Sequence, residues 1–328
     1  MKSHSFFLYI LIGTLLVNPV SGQNHKMDSL WKVWNNKLLP DTTRFSALGN
    51  IGFQLCFTNP DSGVLISNML IKEAGDKGSK KWVGGGYNAL GNNLLSLANY
   101  PASLDAFVHA MKLFEETNDK YHVASMYVNE GMVYESMSNY PKGLECYQDA
   151  IKKYREIGDT TDAESEMGNV GIIYWYLNDY KKALEYELEA LSVQEKEKDK
   201  LDMGGTLTNL GLFYTKVPDF AKAMEYLNKA VDVNREVNNL QGLANSYGNI
   251  SIVYGLKPDY TNALAYQVKC FDIQKQIGDK QGMALSYINI ASYNLKLKHY
   301  KEAEQFSDSG ANLGKKIGAL DIQRDAHL

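Results

Sequence analysis

Residues 160–199 carry a pattern that returns every 40 residues without slipping. Within that stretch stand Asn169, Gly171, Tyr174, Asp179, Tyr180, Ala183 and Ala190. One period later come Asn209, Gly211, Tyr214, Asp219, Phe220, Ala223 and Ala230, and then Asn249, Ser251, Tyr254, Asp259, Tyr260 and Ala263. A further copy holds Asn289, Ala291, Tyr300 and Ala303, and a preceding one Asn129, Gly131, Tyr134, Tyr140 and Ala150. Five copies of one period restrict the chain to a row of stacked supersecondary units, each contacting its neighbours.

The spacing inside a copy says what the unit is. Gly171 and Tyr174 are three apart, and Ala183 and Ala190 seven apart, so each pair shares a helix face. Asn178-Asp179 between them reads as a turn, and aspartate is a good N-cap for the helix that follows. The unit is therefore two antiparallel helices. Gly171 and Ala183 are small where the backbones approach, with Tyr174 and Tyr180 in the wedge between them. Gly158, Asn238, Gly278 and Gly318 follow second helices as left-handed caps; Lys198 departs from that column, so a different geometry is expected at that junction. Every proline after residue 50 falls at a helix-to-helix turn, where a missing N–H costs little.

This arrangement resembles the tetratricopeptide repeat, whose pattern has a small residue, an aromatic three later, and alanines in the second helix. Gly131/Tyr134, Gly171/Tyr174 and Gly211/Tyr214 carry the likeness. Ser251 and Ala291 replace the glycine, and Asn294 stands in the tyrosine column. The family's repeat is about 34 residues; the longer copies here are similar to the MalT-like and kinesin-light-chain-like branches, with the extra length assigned to the second helix. The resemblance implies an all-α fold, a right-handed superhelical solenoid of antiparallel helix pairs.

The ends differ from the middle. Residues 1–22 read as a signal peptide: Lys2, the apolar run Phe6–Val17, Pro19, and small residues before Gln23. Export to the periplasm or to the membrane is the expectation. Residues 23–40 form an N-terminal capping segment, with Leu30, Trp31, Trp34 and Leu38 on one side of a short helix. The solenoid then runs over 41–318 as about seven helix pairs, and 319–328 begin a further, incomplete repeat. The C-terminal face of the stack is expected to meet a further repeat or a partner. The glycine- and lysine-rich stretch 75–86 lacks the spacing of a phosphate loop and reads as a turn between repeats.

Composition removes several functions. The net charge is −4, which gives no basic footprint for nucleic acid. Cys56, Cys146 and Cys270 are scattered and read as single buried thiols, without a disulfide framework or a zinc site. The six histidines are isolated, so the sequence predicts no catalytic residues, no metal and no cofactor. Glu185, Glu187 and Glu189 read as a solvated outer helix face.

The candidate recognition element is the asparagine column: Asn129, Asn169, Asn209, Asn249 and Asn289. Asparagine is a mediocre helix former, so propensity does not explain five of them in mid-helix. By the resemblance, first helices line the concave groove and these amides face it. An amide carries donors and an acceptor, which suits the backbone of an extended peptide. Hydrogen bonding to neighbouring helices is the alternative use. Three and seven residues later in the copies come Met132, Ile172 and Leu212, and Tyr176 and Lys216, which complete the expected groove. The position before each asparagine holds Val128, Gly168, Thr208, Gly248 and Ile288; none is the lysine with which some members of the resembled family clamp an acidic C-terminus, so the resemblance disfavours that ligand.

Two uses are compatible with these residues. One is an exported, non-catalytic scaffold that binds a protein or peptide. The other is the extracytoplasmic sensor region of a signalling receptor of the histidine kinase or nucleotide cyclase type. In that case transmembrane and catalytic parts would lie beyond residue 328 and tether the chain to the membrane.

Overall fold

The computed structural model describes residues 20–317. Among them are fifteen α-helices and no strand. Most of the expected signal peptide and the incomplete last repeat lie outside the described residues. Helix α1 spans Val20–Asn35, α2 Asp41–Leu55, α3 Pro60–Asp76, α4 Lys80–Ser96 and α5 Tyr100–Glu116. Next come α6 Lys120–Ser136, α7 Tyr140–Glu156, α8 Thr160–Tyr176, α9 Tyr180–Glu197 and α10 Lys200–Lys216. The last five are α11 Phe220–Glu236, α12 Leu240–Leu256, α13 Tyr260–Ile277, α14 Lys280–Lys296 and α15 Tyr300–Ile317. No helix among the described residues is long and apolar enough to cross a membrane.

The chain divides into two compact units, Ser21–Tyr186 and a second beginning at Glu187, inside α9. In the first, α2/α3, α4/α5 and α6/α7 are helical hairpins, with α3 packed on α4, α5 on α6 and α7 on α8. In the second, α10/α11, α12/α13 and α14/α15 pair in the same way, with α11 on α12 and α13 on α14.

One turn, repeated, generates this regularity. Positive φ recurs at intervals of twenty: Gly78, Ala98, Asn118, Ser138, Gly158, Asn178 and Lys198. Each 40-residue copy is thus two equal halves, a helix of 17 residues in the case of α7 and α8, and a three-residue turn. The extra length is shared by both helices rather than placed in the second. Where an aspartate ends the turn it works in two directions, whereas Ser79, Asn99 and Asn139 make no side-chain cap bond. The Asp159 N–H reaches back to the Tyr154 carbonyl at 2.9 Å, closing α7, while its carboxylate accepts the Asp162 N–H at 3.2 Å, opening α8. Asp119, Asp219, Asp259 and Asp279 accept from the N–H three residues on in the same way. Lys198 takes the left-handed conformation at φ 61°, so the junction expected to differ does not. The hydrogen-bonded turn imposes its shape on a residue that carries a Cβ penalty there.

The signature glycine makes room for a side chain of the partner helix. A Cβ on Gly91 would sit 2.4 Å from the Phe107 ring, one on Gly131 2.8 Å from Tyr147, and one on Gly211 2.4 Å from Leu227. Each of these bulky residues is sixteen positions on and buried. The tyrosine three after the glycine stacks with one twelve positions on: Tyr174 with Tyr186, Tyr214 with Tyr226, and Tyr254 with Tyr266, all at 5.5 Å. Tyr186 rather than Tyr180 is therefore the stacking partner of Tyr174. Lys182 and Lys222 lie over Tyr174 and Tyr214 at 4.8 and 5.1 Å, which covers their outer faces.

In the second unit the first helices bury more residues than their partners. In α10 ten residues are buried, among them Leu207, Leu210 and Phe213, whereas α11 buries five. Helix α1 supplies Trp34 to a cluster with Phe45, Leu48, Leu70 and Ala74, and Arg44 donates to the Trp34 carbonyl at 3.1 Å. The helix ends at Asn35, so Leu38 is not on its packed side but 95% exposed. Cys56 and Cys270 are buried as expected, while Cys146 is only partly so.

Two glycine substitutions separate packing from propensity. Gly91→Ala should lower stability by about 1–3 kcal/mol, because the rigid Phe107 ring must move. A Cβ on Gly205 meets nothing within 4 Å, so Gly205→Ala should raise stability by about 0.5–1 kcal/mol. Thermal melts followed by circular dichroism check both signs.

Candidate functional site: the asparagine face of the first helices

Each asparagine of the column lies in the middle of a first helix, about three turns from the N-cap that sets its register. Asn129, Asn169, Asn209 and Asn289 are half-buried, and Asn249 is buried at 4% exposure. Their amides have different partners. Asn129 Nδ2 donates to Asn88 Oδ1 of α4 at 2.8 Å, and Asn88 also accepts from Asn92 at 3.0 Å. Asn169 Nδ2 donates to Glu166 Oε2 in its own helix at 2.8 Å. Asn209 Nδ2 donates to Glu187 Oε1 of α9 at 2.9 Å. These three amides thus spend one N–H on the protein, at Asn129 and Asn209 on a neighbouring helix. The half-buried ones keep further hydrogen-bonding capacity at the surface.

Helical geometry sorts the other expected groove residues. At 100° per residue, a position seven later returns to within about 20° of the asparagine, while one three later falls about 60° away. Tyr176 is accordingly 38% exposed, and Lys216 is exposed. Ile172 and Leu212, three after their asparagines, are 4% and 2% exposed and belong to the core. They do not line the face, and neither does Asn249; Met132 in the same position as Ile172 is half-buried. The residues that remain together on the first unit's face are Asn129, Met132, Asn169 and Tyr176. Tyr140 stacks on Tyr176 at 5.2 Å, which holds that ring in place.

The structure adds carboxyl groups that a reading of the sequence misses. Glu187 was expected in solvent with Glu185 and Glu189, yet it is fully buried. It shares one stripe of α9 with Ala183, Ala190 and Gln194, all buried, at spacings of four, three and four. Its column elsewhere holds Ser67, Phe107, Tyr147, Leu227, Gln267 and Ser307, none of them an acid. Burial raises its carboxyl well above the ordinary value, opposed by the bond from Asn209. Its Oε2 has no hydrogen-bond partner. Glu166 occupies a column that elsewhere reads Met126, Thr206, Ser246 and Ser286. Burial pushes Glu166 up to about 7, the Asn169 bond opposes, and the nearby Asp162 and Glu135 carboxylates add to the rise. Burial also raises Glu135, which accepts from Tyr147 Oη at 2.9 Å. Aligning columns rather than reading charge runs was the available signal, since no other copy places a carboxylate in either column.

These acids give the site a chemistry of neutral or easily neutralised hydrogen-bonding groups. At pH 7 Glu166 is divided between a proton-donating acid and a carboxylate acceptor. Among the described residues no group of histidines, cysteines and carboxylates is arranged to hold a metal ion.

The raised Glu166 carboxyl makes stability depend on pH. Its folded-state value moves from 4.5 to about 7, so the folded protein keeps a proton that the unfolded chain has lost across that window. Stability contributed by the protonated group is present below pH 4.5 and falls as pH rises to 7, by up to about 3 kcal/mol. Glu166→Gln keeps an acceptor for Asn169 and removes the titration. The E166Q variant should match wild type near pH 4.5 and exceed it at about pH 8, as read by urea unfolding at both values.

Comparisons with known proteins fit this geometry. Family models of the tetratricopeptide repeat match residues 122–196 and 205–237, and a model of anaphase-promoting complex subunit 5 matches residues 254–309. No curated protein matches the chain. Among solved structures, the apo form of the quorum sensor NprR from B. thuringiensis is 17% identical with a TM-score of 0.69, over 89% of this chain and 82% of that one. A Rap protein complexed with Competence and Sporulation Factor is 16% identical with a TM-score of 0.65, over 87% and 80%. NprR in complex with its cognate peptide NprX is 13% identical with a TM-score of 0.58, over 94% and 83%. With its repeated helical hairpins, the matched repeat models and the shared all-helical stacking, the chain is a tetratricopeptide repeat protein.

Proposed function

We propose that this protein is an exported, non-catalytic scaffold that binds a peptide or an extended protein segment on the asparagine face of its first helices. The observation that carries the reading is the partial satisfaction of the column. Asn129 and Asn169 each commit one donor internally and remain half-buried rather than sealed. Side-chain amides held in place by such bonds are preorganised to pair with a peptide backbone, which lowers the ordering cost of binding. Tyr176, stacked on Tyr140, adds an amphipathic anchor of the kind enriched in binding hot spots. Two fold neighbours hold such partners, NprR its cognate peptide NprX and the Rap protein its Competence and Sporulation Factor, which supports this class of ligand. Export rests on the N-terminal segment.

A second reading is the sensor region of an extracytoplasmic receptor, with tethering and catalytic parts further along. That the fold neighbour NprR is a quorum sensor favours it. Both readings use the same face, so one experiment addresses it. Peptides selected from a display library against the protein should bind with micromolar affinity. Asn169→Ala and Tyr176→Ala should each weaken them tenfold or more, about 1.4 kcal/mol, at a temperature where circular dichroism shows both variants folded. Lys181→Ala, on an exposed position of α9, should leave binding as it was. Selected peptides indifferent to Asn169 and Tyr176 would remove the face from consideration.

A further inference from the structure

Glu166 lies one hydrogen bond behind the face on which the peptide-binding reading rests. Its Oε2 accepts the Asn169 amide at 2.8 Å. The acid is buried, at 8% exposure, while Asn169 is half-buried and reaches the surface. In the five copies, α8 alone sets a carboxyl three residues before its column asparagine; the equivalents are Met126, Thr206, Ser246 and Ser286. Asn129, which follows Met126 at the same spacing, turns to Asn88 of α4 instead. A titratable group is thus wired to the recognition amide at one point of the first unit.

The groups that face Glu166 are acids and phenols. Asp162 of its own helix and Glu135 of α6 act on it as like charges. Tyr147 and Tyr154 of α7 lie within its field, and Glu135 in turn takes the Tyr147 hydroxyl at 2.9 Å. Arg155 of α7 is directed at Met167 Sδ, 3.6 Å away. No cation is among the groups that act on Glu166. A carboxylate here sets the Asn169 amide against lost hydration and two acidic neighbours, whereas the uncharged acid suffers neither penalty. Burial and these neighbours place its titration at about 7, where a further loss of water changes the fraction protonated.

We infer that binding on this face is proton-linked: a peptide segment laid over Asn169 draws Glu166 into its protonated form, and the face holds an uncharged segment more tightly when that carboxyl is neutral. The inference rests on the peptide-binding reading and adds a control to it. A segment paired with Asn169 covers what remains of the carboxyl's access to water, which penalises the charged form. Peptide carbonyls brought close also meet the negative field of a carboxylate but not that of an acid. Linkage is reciprocal, so a ligand that favours the proton is favoured by it to the same factor. Below about 7 the free protein already holds the proton and affinity is at its full value. As pH rises through that value the proton must be drawn from solution, and affinity falls.

The test uses the full chain and a display-selected peptide without charged, histidine or cysteine residues, acetylated and amidated at its ends so that the ligand does not titrate. Its Kd should rise about three- to tenfold between about pH 6 and about pH 8.5. Calorimetry at about pH 7.5 in phosphate and in Tris, which differ in ionisation enthalpy, should show net uptake of part of a proton on binding. Glu166→Gln keeps a neutral group at the site. It should bind at both pH values as tightly as wild type does at the lower one, with no proton uptake. If that variant does not fold, proton uptake by the wild-type protein decides the question. A Kd that is constant with pH or falls as pH rises, no proton uptake, or a pH dependence retained in Glu166→Gln overturns the inference. In each of these cases the face itself stands if Asn169→Ala still costs about tenfold in affinity. Selected peptides indifferent to Asn169→Ala overturn the face, and the proton link with it.

Discussion

The interlock between a glycine of one helix and a bulky side chain of the next sets the distance on which everything else here depends. Phe107 over Gly91, Tyr147 over Gly131 and Leu227 over Gly211 bring paired backbones close enough for Ala110, Ala150 and Ala230 to be fully buried. Close-packed interiors tolerate little change in volume, so the pairing leaves each hairpin with one arrangement. Its apolar flanks are then covered by the hairpins on either side. The turns that end in aspartate are equally economical: as at Asp159, one residue closes the helix behind it with its N–H and opens the helix ahead with its side chain.

Substitutions within such a regular frame are where individuality enters. Glu187 stands in a column that no other copy fills with an acid, and its buried carboxyl draws the Asn209 amide onto itself. Glu166 does the same with Asn169. A buried acid is costly unless it is protonated or bonded, and the rise of both groups above the usual carboxylate range expresses that cost. Retaining it in mid-chain, beside the amides expected to recognise a ligand, links the hydrogen-bonding state of the face to protonation.

Much of this is readable from the residues in order. The period, the helix pairs, the proline positions and the Asp caps follow from local chemistry acting within one turn of helix. The asparagine column is visible as well. Less visible is which side of each helix its neighbours cover. Ile172 and Leu212 resemble groove residues because they recur at a fixed distance from the asparagines, but that distance turns them into the core. Leu38 is apolar enough to be packed and is solvent-exposed because α1 ends first.

The sequence by itself determined the unit and its repetition, because helix periodicity, capping and glycine placement act over a few residues and leave a regular trace. Tertiary structure decided which members of a column meet solvent, that Lys198 adopts the same left-handed turn as the glycines, and that Glu187 is enclosed. Those outcomes depend on what lies across an interface from a given side chain. The energy of desolvating a group, or of bending a residue into a turn, is set by neighbours from distant parts of the chain, and these become neighbours only once the hairpins have stacked.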